Sequence, residues 1–262
     1  MLTKDEIEAY KKFEDPYFTE KDYLQEVVLH EIYSNRRSTR SFVFKGGTAL
    51  SKFYASDRFS EDLDFTFIGA DEPVGLINEV LDDMAGRLFY PAEFVKKPSA
   101  NEFRTVSAEL GIQGPRYNRK QSSLQHIRLE INTVSALAHD PVQLPRKPAY
   151  GDIDDYIGTV MDRKEILSEK FRAIMSRKRR HRERDLYDMN FLLSKGVVPD
   201  RSEVLKKLGD AGMRFSEEAL LDAISSIETD WKDLVPFVSH TLEGYDSVKS
   251  DVVARLKATG ML

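Results

Sequence analysis

The 262-residue chain contains no cysteine. Disulfides, thiolate metal sites, iron–sulfur clusters and cysteine nucleophiles are therefore excluded, and nothing in the chain requires an oxidising compartment. It also lacks any run of about 18 apolar residues, and its opening Met-Leu-Thr-Lys-Asp-Glu-Ile-Glu has neither the basic nor the apolar region of a secretory signal. These absences predict a soluble, cytoplasmic protein with no membrane partner. The five histidines show no H-E-x-x-H spacing, and neither a G-x-S-x-G elbow nor a G-x-x-x-x-G-K-[ST] loop is present, which removes the familiar metallohydrolase, serine-hydrolase and P-loop chemistries. With 39 Lys+Arg against 44 Asp+Glu the formal charge is −5. That balance argues against a general coat for nucleic acid, although a local basic cluster could still grip one.

What the chain does have is apolar and aromatic content, 41% and 10% respectively, enough for one substantial core or two modest ones. Residues 4–34 carry apolar positions at helical spacing, interrupted at Pro16, which predicts two helices. Ser41-Phe42-Val43-Phe44 is a short β-prone run that stops at Lys45-Gly46-Gly47-Thr48. Leu50, Phe53 and Tyr54 then mark a helical turn that Thr48 is placed to cap. Residues 61–68 alternate polar with apolar and predict a strand, as does 126–134, with Ile127, Leu129 and Ile131 facing one way and Arg128, Glu130 and Asn132 the other. Residues 74–95 read as helix then extended chain, 103–112 as a strand and 114–123 as a polar loop. Pro141, Pro145 and Pro148, followed by Gly151, suggest a boundary, and beyond it the sequence reads as helical, with breaks near 196–199, 209–212 and Pro236. The expected domains are 1–145 and 146–262. Trp231, the single tryptophan, is expected in the core.

Asp62 and Asp64 stand two residues apart on a predicted strand, so both side chains project from one face about 7 Å apart. Such a pair repels unless a cation sits between its members. Mg²⁺ suits it, being a hard ion that takes one or two carboxylates and leaves positions for substrate phosphates. Glu130, on the polar face of another strand, is a candidate third ligand. Alone, a D-x-D also reads as the solvated face of an edge strand. Gly46-Gly47-Thr48, between a strand and a helix, lets the backbone approach a bulky anion and offers helix N-terminal amides to phosphate; alone it also reads as an ordinary loop. Together the two elements put a triphosphate cradle and metal ligands at neighbouring strand ends. Further on, Lys170 lies inside the apolar stripe of a predicted helix, where it must snorkel or find an anion. Asp185 and Asp188 share a face one turn apart on the next helix, as capping charges or as partners. Arg177-Lys-Arg-Arg-His-Arg-Glu-Arg184 reads either as a solvated linker or as a grip on phosphates.

Lys45-Gly-Gly-Thr-Ala-Leu-Ser-Lys52 followed by Arg58-Phe-Ser-Glu-Asp-Leu-Asp-Phe65 resembles the first two motifs of the AbiEii/AbiGii nucleotidyltransferase toxin family. Glu169-Lys-Phe-Arg-Ala-Ile174 and Arg184-Asp-Leu-Tyr-Asp188 are similar to its third and fourth, so the likeness spans residues 45–188 in order. The superfamily's Gly-Ser is Gly47-Thr48 here, which keeps the hydroxyl. The resemblance implies an α/β (α+β) fold with a DNA polymerase β-like nucleotidyltransferase domain, built on a small mixed sheet, joined to a helical C-terminal domain, with the site in the cleft between them. It implies NMP transfer from an NTP, with Asp62, Asp64 and Glu130 at Mg²⁺ and Gly46, Gly47, Thr48, Lys52, Arg58, Ser60 and Lys170 toward the nucleotide. Asp185 is the preferred fourth-motif residue, ahead of Asp188. The implied setting is a type IV-like toxin–antitoxin or abortive-infection system acting in phage defence, with a cognate antitoxin and an RNA acceptor, a tRNA 3′ end first. A phosphotransferase and a non-catalytic nucleotide- or RNA-binding module are the rival readings.

Overall fold

The computed structural model describes residues 2–87, 90–101, 105–133, 136–176 and 180–262. Phe103 and Val134, expected at strand ends, and Arg177, Lys178 and Arg179 of the basic run lie outside the described residues. The chain forms two compact units. Met1–Ala55, Phe59–Ala136 and Pro141–Val160 make the first; Ser56–Arg58, Leu137–Asp140 and Met161–Leu262 make the second.

The first unit opens with α1 (Lys4–Ala9) and α2 (Pro16–Ser34). The break at Pro16 is a helix start: the Asp15 side chain accepts from the Tyr17 N–H, and Pro16 occupies the first turn, where its missing donor costs nothing. There follow α3 (Ser38–Ser41), β1 (Phe42–Lys45), α4 (Gly46–Phe53), β2 (Leu63–Phe67), α5 (Pro73–Arg87), β3 (Ala92–Ala100), β4 (Thr105–Ile112), β5 (Gln125–Asn132), β6 (Val142–Arg146) and β7 (Tyr156–Val160). The strands form one mixed sheet in the order β3-β4-β5-β2-β1-β7-β6. β2 runs antiparallel to β1 and parallel to β5, and β1 runs parallel to β7. Pro98 and Pro145 fall on β3 and β6, the two edges, where a missing N–H is tolerated. The expectation of helix throughout the stretch after the prolines fails at Tyr156-Ile-Gly-Thr-Val160. This β-prone run pairs with β1 on one side and β6 on the other, and that pairing decides its conformation.

The alternation in the sequence assigns the sheet faces. On β5 Ile127, Leu129 and Ile131 are buried, while His126, Arg128 and Glu130 are partly or fully exposed; on β2 Leu63, Phe65 and Phe67 enter the core and Asp64 points the other way. Tyr23, Leu24, Val27, Val28 and Ile32 of α2 join Phe42, Phe44, Leu63 and Phe65 in that core. Yet α2 is buried on nearly every side, and Asp22, Gln25 and Glu26 lie inside with it.

The second unit is helical: α6 (Arg163–Met175), α7 (Arg182–Ser194), α8 (Arg201–Asp210), α9 (Glu217–Ser225) and α10 (Tyr245–Ala258), with a 3₁₀ segment at Glu228–Phe237 ending beside Pro236. α7 stops at Gly196, whose φ of +76° suits a helix-terminating glycine. Trp231 is buried and donates Nε1–H to the Glu243 carbonyl at 2.8 Å. Among the described residues, no helix is long and apolar enough to cross a membrane.

Candidate active site

The corner between β1 and α4 is shaped around Asp64. The pairing of Lys45 with Asp64 brings the end of β1 level with that carboxylate, and the chain then turns at Gly46 with φ +76°. A Cβ on Gly46 would strike Asp64 Oδ2 and lie 3.2 Å from Cγ. Glycine is therefore required twice, for its left-handed backbone and for the space that the carboxylate fills. α4 begins at Gly46, two residues before the predicted cap, and no side chain caps it; Lys45 is the N-cap residue. The first-turn amides give this end of α4 its positive polarity, beside the Asp64 carboxylate. Thr48 does not cap the helix: its hydroxyl donates to the Asp62 carbonyl at 2.5 Å. Gln25 Nε2 donates at 2.9 Å to both Ser60 O and Glu61 O. Three consecutive carbonyls ahead of β2 are thereby tied to α2 and α4, and the acidic strand enters the sheet from a fixed start.

Asp64 is the register partner of Glu130 on β5, so the two carboxylate-bearing residues sit side by side on adjacent strands, roughly 4.8 Å apart in backbone spacing. Asp62 lies just before β2, two residues away from Asp64. Among the described residues no three His, Cys, Asp or Glu side chains are grouped as a ready-made metal cage. Paired carboxylate oxygens are nonetheless the donor type that a hard divalent ion takes, and Mg²⁺ completes its shell with water and phosphate.

Three residues expected to face the nucleotide, Lys52, Arg58 and Lys170, are committed to buried ion pairs. Lys52, at the last turn of α4, donates to Asp22 Oδ1 at 2.7 Å and to Asp22 O at 2.9 Å, and lies 3.2 Å from Glu26 Oε1. Arg146 binds Glu26 and gives Nη1–H to the Lys52 carbonyl at 2.7 Å. Burial pushes the Asp22 carboxyl up, but Lys52 and Lys12 outweigh it and hold the group well below the usual carboxylate range. This cluster moors the C-terminal end of α4 to α2, just as Thr48 moors its start to the acidic strand. Sequence reasoning missed Asp22, Glu26 and Arg146; the signal was an i, i+4 acidic pair within an otherwise apolar-periodic helix.

Arg58 belongs to the second unit, where it binds Asp188 through two bonds of 2.9 Å, Nε to Oδ1 and Nη2 to Oδ2. Lys170 Nζ completes the group, 2.9 Å from Asp185 Oδ1 and 2.6 Å from Asp188 Oδ2. Two cations and two anions are thus buried together, and both third- and fourth-motif residues are in it. Lys170 reaches Asp188 as well as Asp185, and Asp188 also holds Arg58. Burial lowers the Lys170 ammonium's pKa, but Asp188 and Asp185 more than offset this and raise it overall; burial likewise lifts Asp188, which Arg58 and Lys170 bring below its ordinary value. Lys170→Met is expected to destabilise the protein by about 3–5 kcal/mol, because two buried carboxylates would lose the ammonium they share. Chemical unfolding measures that loss, and a change under about 1 kcal/mol would show that the ammonium is not needed to balance them.

Of the basic run, Arg182 reaches Ile174 O at 3.3 Å and Ser226 Oγ at 3.0 Å, and Arg184 lies over the Phe237 ring at 4.2 Å. Tyr187 donates its hydroxyl to Asp57 at 2.6 Å. These side chains build the helical unit.

The sequence pattern of the family described as nucleotidyl transferase AbiEii toxin, type IV TA system, matches residues 28–246. The chain belongs to that family. It is therefore a nucleotidyltransferase, and membership in this AbiEii toxin family implies a nucleotide substrate and a cognate antitoxin. The fold agrees with that of MenT4, a nucleotidyltransferase toxin from Mycobacterium tuberculosis H37Rv, with 20% identity, a TM-score of 0.70, and coverage of 100% of this chain and 91% of that one. It also agrees with JHP933 from Helicobacter pylori, with 15% identity, a TM-score of 0.59, and coverage of 95% and 94%. No curated protein sequence matches the AbiEii-family chain.

Proposed function

We propose that this AbiEii-family enzyme transfers a nucleoside monophosphate from an NTP to the 3′ end of an RNA, a tRNA first, in the cytoplasm, as the toxin of a type IV toxin–antitoxin pair active in phage defence. The observation that carries the reading is the contact of the Asp64 carboxylate with Gly46 at the start of α4, which brings an anion-binding backbone and a cation-binding side chain to one corner. Asp62 and Asp64 are the residues that would hold Mg²⁺, with Glu130 beside them. Bound there, the ion would supply charge neutralisation to the triphosphate. The amides of Gly46, Gly47 and Thr48 receive the phosphate oxygens, and the Thr48 hydroxyl acts one step back by fixing Asp62. Lys52 serves the site by mooring α4, and Lys170, with Asp185 and Asp188, by completing a charge-balanced group in the helical unit.

In the transfer the acceptor hydroxyl oxygen forms a bond to the α-phosphorus, the bond from that phosphorus to the α,β-bridging oxygen breaks, and pyrophosphate leaves. Glu130, beside Asp64 in register, is the candidate to take the hydroxyl proton. Incubation with α- and γ-labelled NTPs, Mg²⁺ and total RNA tests the reading. Label on RNA from the α position alone is expected. Label from the γ position would make the enzyme a phosphotransferase, and label on protein would replace the acceptor.

A further inference from the structure

The face of the sheet that carries Asp64 continues outward across three more strands, and register lays out its rows. Asp64 pairs with Glu130, Glu130 with Ser107 and Ser107 with Ser99, which gives one row running from β2 to the edge strand β3. Two residues along β5, Arg128 pairs with Glu109 and Glu109 with Lys96, which gives the adjacent row on the same face about 7 Å away. Arg128 and Lys96 are exposed. Glu109, which lies between them and would normally be shared by both, is instead engaged by His126 Nδ1 at 2.7 Å. Among the described residues, neither Arg128 nor Lys96 makes a side-chain hydrogen bond or ion pair. Two uncommitted cations thus stand in the row beside a hydroxyl-bearing row that ends at the proposed reaction centre.

A sheet surface made only for solubility gains by pairing Arg128 with the opposed glutamate, since opposite charges directly across a strand pair stabilise it. Here the guanidinium is left open, and a guanidinium matches a phosphate through two parallel bonds where a lysine supplies a point charge. We infer that the polar face of β3, β4 and β5 is the platform for the acceptor RNA strand, with Arg128 and Lys96 on successive backbone phosphates and the terminal hydroxyl delivered along the Ser99–Ser107 row to Glu130 and Asp64. The inference rests on the reading of RNA as acceptor and adds the surface that receives it. Contacts of this kind position a strand without reading its bases. The acceptor's sequence would then be selected elsewhere.

The test uses the 262-residue chain and a fluorescent single-stranded RNA, with affinity measured by anisotropy across a salt series. Arg128→Glu with Lys96→Glu is expected to weaken RNA binding at least about tenfold and to flatten the dependence of log affinity on log salt by about 1.4, from roughly 0.7 for each phosphate no longer neutralised. Arg128→Gln should give a smaller loss of the same kind. Affinity for a fluorescent NTP and the thermal midpoint should stay at the wild-type values. Unchanged RNA affinity, or a matching loss of NTP affinity, would overturn the platform. Because this readout is binding, it is separable from the label assay: wild-type protein that binds RNA through Arg128 but transfers no α label to any RNA would sink the transfer reading and leave the platform standing.

Discussion

Asp64→Ala is expected to abolish nucleotidyl transfer, by at least about a thousandfold in kcat or ~4 kcal/mol of barrier, while the protein stays folded. The side chain is half-exposed on the polar face of β2, and the strand is anchored by its opposite face, where Leu63 and Phe65 are fully buried. Truncation removes no core packing from those residues. It does remove a carboxylate that both lies against the glycine corner and stands in register with Glu130. Charge neutralisation of a transferring phosphoryl group is a large share of such catalysis, because the reaction asks little of the protein beyond positioning and electrostatics. Steady-state transfer from an α-labelled NTP, read with circular dichroism and a thermal melt, separates chemistry from folding. A folded Asp64→Ala protein with more than about a tenth of wild-type activity would remove this residue from the site.

Gly46→Ala carries the second largest expected effect. The added methyl group meets a backbone at φ +76°, which costs an L-residue roughly 1–2 kcal/mol, and it meets Asp64 Oδ2 at a clashing distance. The carboxylate or the corner must move, and displacement by about 1 Å at such a site lowers turnover by about a hundredfold. Gly47→Ala is the contrast, since Gly47 sits in the first turn of α4 without a positive φ, a backbone that alanine adopts freely. Turnover should therefore fall far more at position 46 than at 47, with NTP affinity changing less than kcat at position 46. Equal, mild effects at both positions would mean that the contact between Gly46 and Asp64 is incidental.

Much of the first unit was legible because its chemistry is local. The alternation around Leu63–Phe67 and Gln125–Asn132 marked the strands and their faces, and Gly46-Gly47 marked the corner, since period-two burial and left-handed backbone both leave direct traces in a sequence. Family resemblance supplied the third and fourth motifs, whose Lys170, Asp185 and Asp188 the structure brings into one buried group. What was not legible depended on tertiary partners. Tyr156–Val160 became a strand because β1 and β6 flank it, and the polar residues of α2 are buried because Lys52 and Arg146 come from distant parts of the chain to neutralise them. Lys52 and Arg58 illustrate the same point. As positive charges beside motif residues they read as phosphate ligands, whereas burial against Asp22, Glu26 and Asp188 makes them anchors. A sequence displays a cation but not the carboxylate that claims it.

On the proposed reading, catalysis depends on one corner, where the start of α4 and the Asp64 carboxylate serve the same nucleotide. The most direct measurement is a crystal structure of the chain with Mg²⁺ and an NTP analogue that cannot be cleaved between its α- and β-phosphates. Phosphate oxygens are expected on the amides of Gly46, Gly47 and Thr48, with an ion shared between the triphosphate and Asp64. A nucleotide bound away from that corner, or bound there with Asp64 turned from the ion, would contradict the proposed site.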